Sequence, residues 1–261
     1  MKDSPRRKLI LHYHLFKNAG TSVDEMLEAS LGDRWAQWDK DDPNARISPA
    51  EMEEFILGHP DLLAISSHQV VPPLPTKHVD IFPIVFIRHP IDRAYSAYLF
   101  EWKKQKGGSE PVDSFEAYVR QSLKLFRGSP IEDFQTLRFA NQGYETRRPS
   151  DELDDEALLD DAKAFLRSLP IFGIVERYDE SMDLLRKAWG NIFPEVSFAV
   201  LRSNVMQDPE QSLPDKLSKL RKALPPEIFA ALTLRNQMDL RLYEYASACF
   251  EFSAKRLADP R

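Results

Sequence analysis

KLILHYHLFKNAGTS, residues 8–22, changes character halfway along. Residues 8–15 are apolar and β-rich, the mark of a buried strand. Phe16-Lys17-Asn18-Ala19-Gly20 breaks that run. Thr21-Ser22 then leads into Val23, Met26, Leu27 and Leu31, a helical spacing closed by Gly32. The first unit is therefore strand, loop, helix. The loop has the makings of an anion site. Glycine allows close approach of the backbone to a ligand, and a helix start offers unpaired N–H groups and a positive dipole end. Lys17 adds a point charge, and Thr21 and Ser22 add hydroxyl donors. The same residues also fit an ordinary helix start with a solvated lysine, so this loop alone decides nothing.

Further along, residues 62–67 (LLAISS) and 81–87 (IFPIVFI) read as a second and a third buried strand. The second ends at His68 and the third at Arg88-His89-Pro90. Ser48-Pro49-Ala50-Glu51 reads as an N-cap, a proline at the first helical position and a short helix. Residues 39–44 read as a polar loop, and residues 70–75, with three prolines, as irregular chain. Helical periodicity covers 91–102, 113–126, 151–166, 178–189, 212–222, 226–234 and 236–252. Residues 171–175 and 196–201 read as short strands, 103–108 as a basic loop and 127–146 as less regular chain. Strands alternating with helices predict an α/β fold of three layers with a mainly parallel sheet. No linker divides the chain, so residues 1–261 are expected to form a single domain with a helical C-terminal part.

An arginine at the C-terminal end of a strand points into the crevice where open α/β sheets bind ligands. Arg88 has that place, and Ser96, two turns into the next helix, can face the same crevice. Arg93 lies between them, and either arginine also suits a surface ion pair. The chain thus offers one anion site after its first strand and another after its third.

Charge and composition narrow the field. The formal charge is −6 over 261 residues, which disfavours nucleic acid or an anionic membrane as partner. No membrane-length apolar run and no signal-peptide core is present, so a soluble, cytoplasmic protein is the expectation. The lone Cys249 excludes an intrachain disulfide framework and a thiolate zinc cluster. No HExxH or similar ligand spacing occurs among the six histidines, so no metal is expected. His12 and His14 alternate on one face of the first strand and are expected to be packed or hydrogen-bonded.

The two anion elements together resemble the PAPS-dependent sulfotransferases, in the carbohydrate branch that includes heparan sulfate 2-O-sulfotransferase. HYHLFKNAGTSV resembles the family's 5′-phosphosulfate loop, and FIRHPIDRAYSAYLF its 3′-phosphate element. Ser66-Ser67-His68 resembles the segment carrying the family's catalytic histidine, although glycine commonly stands where Ser67 does. Phe134-Gln135-Thr136-Leu137-Arg138-Phe139, residues 171–185 and residues 239–245 resemble later segments in the expected order. The resemblance implies a fold related to P-loop nucleotide kinases. It implies transfer of a sulfuryl group from PAPS to a hydroxyl, with a carbohydrate as first choice and adenosine 3′,5′-bisphosphate as product. Lys17, Asn18, Ala19, Gly20, Thr21 and Ser22, with Arg88 and Ser96, would hold the nucleotide. Lys17 would stabilise the leaving oxygen, and His68 would be the base, its ordinary pKa lying near working pH.

Other readings stand beside this one. Glu176 ends an apolar strand and is an alternative base, or else the ion-pair partner of Arg177. A P-loop kinase should show GxxxxGK followed by Ser or Thr, and an acidic residue at a strand end for magnesium. Here the next two strands end in Ser67-His68 and Arg88-His89. A nucleotide- or glycan-binding module of the same fold without chemistry is the non-enzymatic alternative. The sequence leaves the oligomeric state open.

Overall fold

The computed structural model describes residues 6–105, 114–124, 129–140, 154–203 and 211–258. Strand β1 (Arg7–Tyr13) is the hub of its sheet. Residues 9–13 are all buried, and because successive side chains face opposite ways, both faces of the strand are covered. That is why this stretch reads as an unbroken apolar run. β2 (Trp35–Gln37), β3 (Ala64–Ser67) and β4 (Val79–Ile84) complete a parallel sheet of order β2-β3-β1-β4. After Val85 the chain continues as β5 (Phe86–Ile87), which pairs in parallel with β6 (Gly173–Ile174). The predicted third strand is thus two short strands. The mixed α/β class with a mainly parallel sheet is as expected.

Ten α-helices are described: α1 (Gly20–Leu31), α2 (Pro49–Gly58), α3 (Pro90–Gln105), α4 (Phe115–Ser122), α5 (Phe134–Ala140), α6 (Asp155–Ser168), α7 (Tyr178–Trp189), α8 (Leu213–Ala223), α9 (Pro226–Leu234) and α10 (Gln237–Ala258). Local rules account for their ends. Gly32 follows α1 at φ 53°, a conformation glycine adopts without strain. Ser48 and Glu51 form the full capping box of α2. A second apolar cluster, with Ile91, Ala94, Val119, Leu220 and Leu232, ties α3 and α4 to the C-terminal α8 and α9. Among the described residues no helix is long and apolar enough to cross a membrane.

Three expectations are corrected, and one strand was not foreseen. Residues 196–201 are not a strand. Their alternation is real, with Val196 and Phe198 buried and Ser197 and Ala199 exposed, but Phe198 stands at φ 47°, outside extended geometry. The Ser197 N–H bonds Ser30 Oγ on α1 instead of a strand neighbour. Residues 134–140, within a stretch read as irregular, are helical. Asp239 at the start of α10 accepts from the backbone N–H of Gln135 and Thr136, while Asp133 accepts from the Asp239 N–H, so two helix starts cap each other across 100 residues of chain. Residues 103–105 belong to α3 and not to a loop, and residues 106–108 lie outside the described residues. Finally, β2 was not expected. Three residues in a polar setting carry too little periodicity to announce a strand.

Candidate active site

The candidate loops follow the C-terminal ends of parallel strands. β1, β2, β3 and β4 run parallel, so their C-terminal ends lie together, and the separate parallel pair β5–β6 joins them through the bonds of Phe86 O and Arg88 to the loop after β1. From β1 comes the loop with Lys17, from β2 Asp39, from β3 His68, from β5 Arg88 and from β6 Glu176. This is the side on which open α/β sheets bind ligands.

The loop after β1 is strained. Lys17 and Ala19 have φ 64° and 63°, left-handed values that cost a non-glycine residue roughly 1–3 kcal/mol each. Buried hydrogen bonds hold them there. Asn18 Nδ2 donates to Phe86 O at 2.6 Å and to Gln135 Oε1 at 2.8 Å. Arg88 Nη1 donates to Lys17 O at 2.9 Å. Ala19 precedes α1 without a side-chain cap, so the first N–H groups of the helix, at Gly20 and Thr21, are the ones a helix leaves for a ligand. The Lys17 ammonium lies 4.5 Å above the Phe100 ring. Burial, with Arg88 beside it, lowers its pKa to about 8.

Two loop residues do something other than expected. The Ser22 hydroxyl accepts the Ser203 N–H at 3.0 Å and is buried, so it anchors a distant segment. Gly20 is required by a side chain. A Cβ there would lie 2.0 Å from His14 Cδ2 and 2.2 Å from His14 Nε2. Gly20→Ala is expected to destabilise the fold by about 1–3 kcal/mol through overpacking, read as a lower Tm; an unchanged Tm would show that the His14 ring can swing aside.

Arg88 joins the two anion elements. Its Nε and Nη2 reach Asp92 Oδ2 at 2.8 and 2.7 Å, while Nη1 holds Lys17 O. A guanidinium has five N–H donors, and these contacts use three of them. Gln135 locks the Arg88 backbone, accepting its N–H and donating to its carbonyl, both at 2.9 Å. Ser96 is buried on α3 and Arg93 wholly so, its guanidinium 4.6 Å from the Phe134 ring.

His68 carries the geometry of an oriented base. Its Nδ1 lies 2.8 Å from Asp39 Oδ2, and its backbone N–H donates to Asp39 Oδ1 at 2.8 Å. A carboxylate only accepts, so Nδ1 carries a proton toward Asp39, and whenever the ring is neutral Nε2 is the nitrogen with the lone pair. Ser67 Oγ donates to the same carboxylate at 2.8 Å; the serine that replaces a usual glycine helps to fix the pair. Burial works to raise the Asp39 pKa, but the bonds from His68 and Ser67 outweigh it and hold Asp39 at about 2. Sequence reading places Asp39 in a plain polar loop. The Gln37↔Ser66 register of β2 on β3 is what brings it to His68.

Glu176 does not pair with Arg177, which bonds Glu180 and Glu251. Its oxygens take the His89 N–H at 2.8 Å and the Tyr243 hydroxyl at 3.2 Å. Burial pushes its carboxyl up to about 7, against the pull of Arg88. His12, His14 and Asp24 bring ligand-type atoms within 4.8 Å of one another. Both ring Nδ1 atoms are, however, donors to Asp24, at 2.7 and 2.6 Å, so neither aims a lone pair at a shared ion.

Comparison with known proteins bears on this edge. A family model described as "Sulfotransferase family" matches residues 4–246. A protein of Archaeoglobus fulgidus, named only as an uncharacterized protein, is 30% identical over 256 residues, covering 91% of this chain and 95% of that relative.

Proposed function

The chain belongs to the sulfotransferase family, and from that premise we propose that it moves the sulfuryl group of PAPS to a carbohydrate hydroxyl by in-line displacement, with His68 as base. The observation that carries this reading is the Asp39–His68 pair, whose free Nε2 stands at the end of β3, beside the strand that leads into the Lys17 loop. The residues fit a donor with phosphate at two positions: an open helix start with Lys17 on one side, and the spare N–H groups of Arg88 with Ser96 on the other. The donor supplies a sulfur already activated by its bond to phosphate.

The protein's own work is positioning and proton handling. His68 Nε2 accepts the acceptor's hydroxyl proton as the oxygen–sulfur bond forms. Asp39 holds the ring and favours the resulting imidazolium. Lys17 meets the bridging oxygen that departs with the electron pair of the broken sulfur–oxygen bond. No metal is needed, because an ammonium and backbone N–H groups stabilise the leaving group. Membership of a sulfotransferase family displaces the P-loop kinase reading. Carbohydrate as acceptor and PAPS as donor rest on the motif resemblance described above.

Thermal unfolding with nucleotides tests the donor site. Adenosine 3′,5′-bisphosphate at about 100 Kd should stabilise the native state by about 2.7 kcal/mol, without magnesium and more strongly than adenosine 5′-monophosphate or ATP. Arg88→Ala should weaken its binding about 10–100-fold, the cost of a lost charge-assisted bond. Equal stabilisation by the monophosphate would remove the case for a 3′-phosphate site. Unchanged affinity in a folded Arg88→Ala protein would move that site elsewhere, with Arg93 next to test. Sulfuryl transfer to a polysaccharide panel, against phenols and small alcohols, tests the acceptor class.

A further inference from the structure

His12 in β1 and His14 just past its end have no part in the mechanism above, yet one of them lies against the base. Alternation along the strand puts His12 and His14 on one face. Both donate from Nδ1 to Asp24 on α1, one to each carboxylate oxygen. This fixes the tautomer of His14, whose Nε2 is unprotonated and whose Cδ2–Nε2 edge rests on Gly20. The face of its ring stacks on His68, with centroids 3.9 Å and planes 30° apart.

We propose that His14 is a positioning residue for the base: a neutral imidazole, aligned by Asp24 and seated on Gly20, that holds the His68 ring in place and stabilises the positive charge it gains on taking the acceptor's proton. The inference rests on His68 being the base. Its physical grounds are separate. A cation is attracted to the face of a neutral ring, and the Asp24 carboxylate lies at the Nδ1 edge of that ring, while His12 stacks on it with centroids 5.3 Å apart. Burial lowers the His14 pKa to about 4 against the pull of Asp24, with His12 and His68 lowering it further, so the shelf stays uncharged at neutral pH. Besides His14, the groups facing His68 among the described residues include the Asp39 carboxylate, the neutral Gln37 amide 3.2 Å from Nδ1, and Arg138, whose Nη2 donates to the His68 carbonyl at 2.7 Å. Asp39 favours the imidazolium and Arg138 opposes it, so His14 with Asp24 shifts a balance that neither sets alone. Gly20 acquires a role through this contact: it makes room for the shelf.

The test reads His68 directly. The His68 ring proton signals are followed by NMR against pH in the wild-type protein, in His14→Asn and in Asp24→Asn. Asparagine at position 14 keeps a donor for Asp24 but removes the stacked face. In both variants His68 should titrate at a lower pH than in the wild type. Turnover of His14→Asn should fall roughly 10–100-fold, the scale of a slightly misplaced catalytic group, with adenosine 3′,5′-bisphosphate affinity unchanged. A His68 titration identical in all three proteins overturns the proposal. So does a loss of turnover matched by an equal loss of nucleotide affinity, which would mark His14 as a purely structural ring. If His68→Ala keeps its turnover, the base assignment is what fails, while the titration still decides whether His14 and His68 are coupled.

Discussion

His68→Ala is expected to lower turnover by about 10²–10⁴-fold, the usual contribution of a positioned general base, while leaving the affinity for adenosine 3′,5′-bisphosphate unchanged. The separation follows from placement. His68 follows β3, whereas the loops proposed to hold the nucleotide follow β1 and β5. Asp39→Asn is the finer version of the experiment. An amide can present its own N–H to Nδ1 and so stabilise the opposite tautomer, with the lone pair turned inward and Nε2 protonated. Turnover should fall although the ring stays in place. Single-turnover rates on a verified acceptor, with nucleotide affinity by calorimetry, check both variants. Near-wild-type turnover in His68→Ala would sink the assignment and make Glu176, with its carboxyl raised to about 7 by burial, the next base to test.

Lys17→Ala is expected to cost about 10²–10³-fold in turnover, the scale found when one donor to a developing oxyanion is removed, and to loosen the donor nucleotide as well. The double effect distinguishes it from His68→Ala. The wild-type enzyme should also show its dependence on this lysine through pH. The protonated form is the useful one, and burial beside Arg88 lowers its pKa to about 8. As pH rises through about 8 the charge is lost, so kcat/KM for the donor should fall on the alkaline side with that midpoint. Because kcat/KM reports the free enzyme, the limb should vanish in Lys17→Ala. An alkaline limb of the same midpoint in the variant would assign it to another group.

Parts of this molecule are legible in one dimension because their causes are local. The strand–loop–helix unit of residues 8–32 announces itself by a change of hydrophobic period and by Gly32. The α2 start follows from Ser48, Pro49 and Glu51. α7 runs over Tyr178–Trp189 as its apolar stripe predicts, with basic Arg186 and Lys187 in its last turn. Residues 196–201 mislead for an equally physical reason. Val196 and Phe198 turn into the main core while the Ser197 N–H bonds Ser30 on α1, and alternation by itself does not say what lies alongside. The helix at 134–140 depends on Asp239, more than 100 residues away, and no local window contains that carboxylate.

The sequence by itself determined the class of fold, the order of the elements around the first loop, and the residue types able to hold two phosphates, since each follows from neighbours a few positions apart. Only the tertiary structure decided how those residues are used. The register of β2 on β3 brings Asp39 to His68 across 29 residues and fixes which ring nitrogen faces the carboxylate. Gln135 binds the Lys17 loop to Arg88 through hydrogen bonds spanning 117 and 47 residues. The Ser22 hydroxyl goes to Ser203, and Gly20 yields its space to His14. Hydrogen bonds and ring contacts act over about 3–4 Å, and which atoms fall within that reach is set by how strands pair and helices pack, a property of the whole chain that no short window of residues carries.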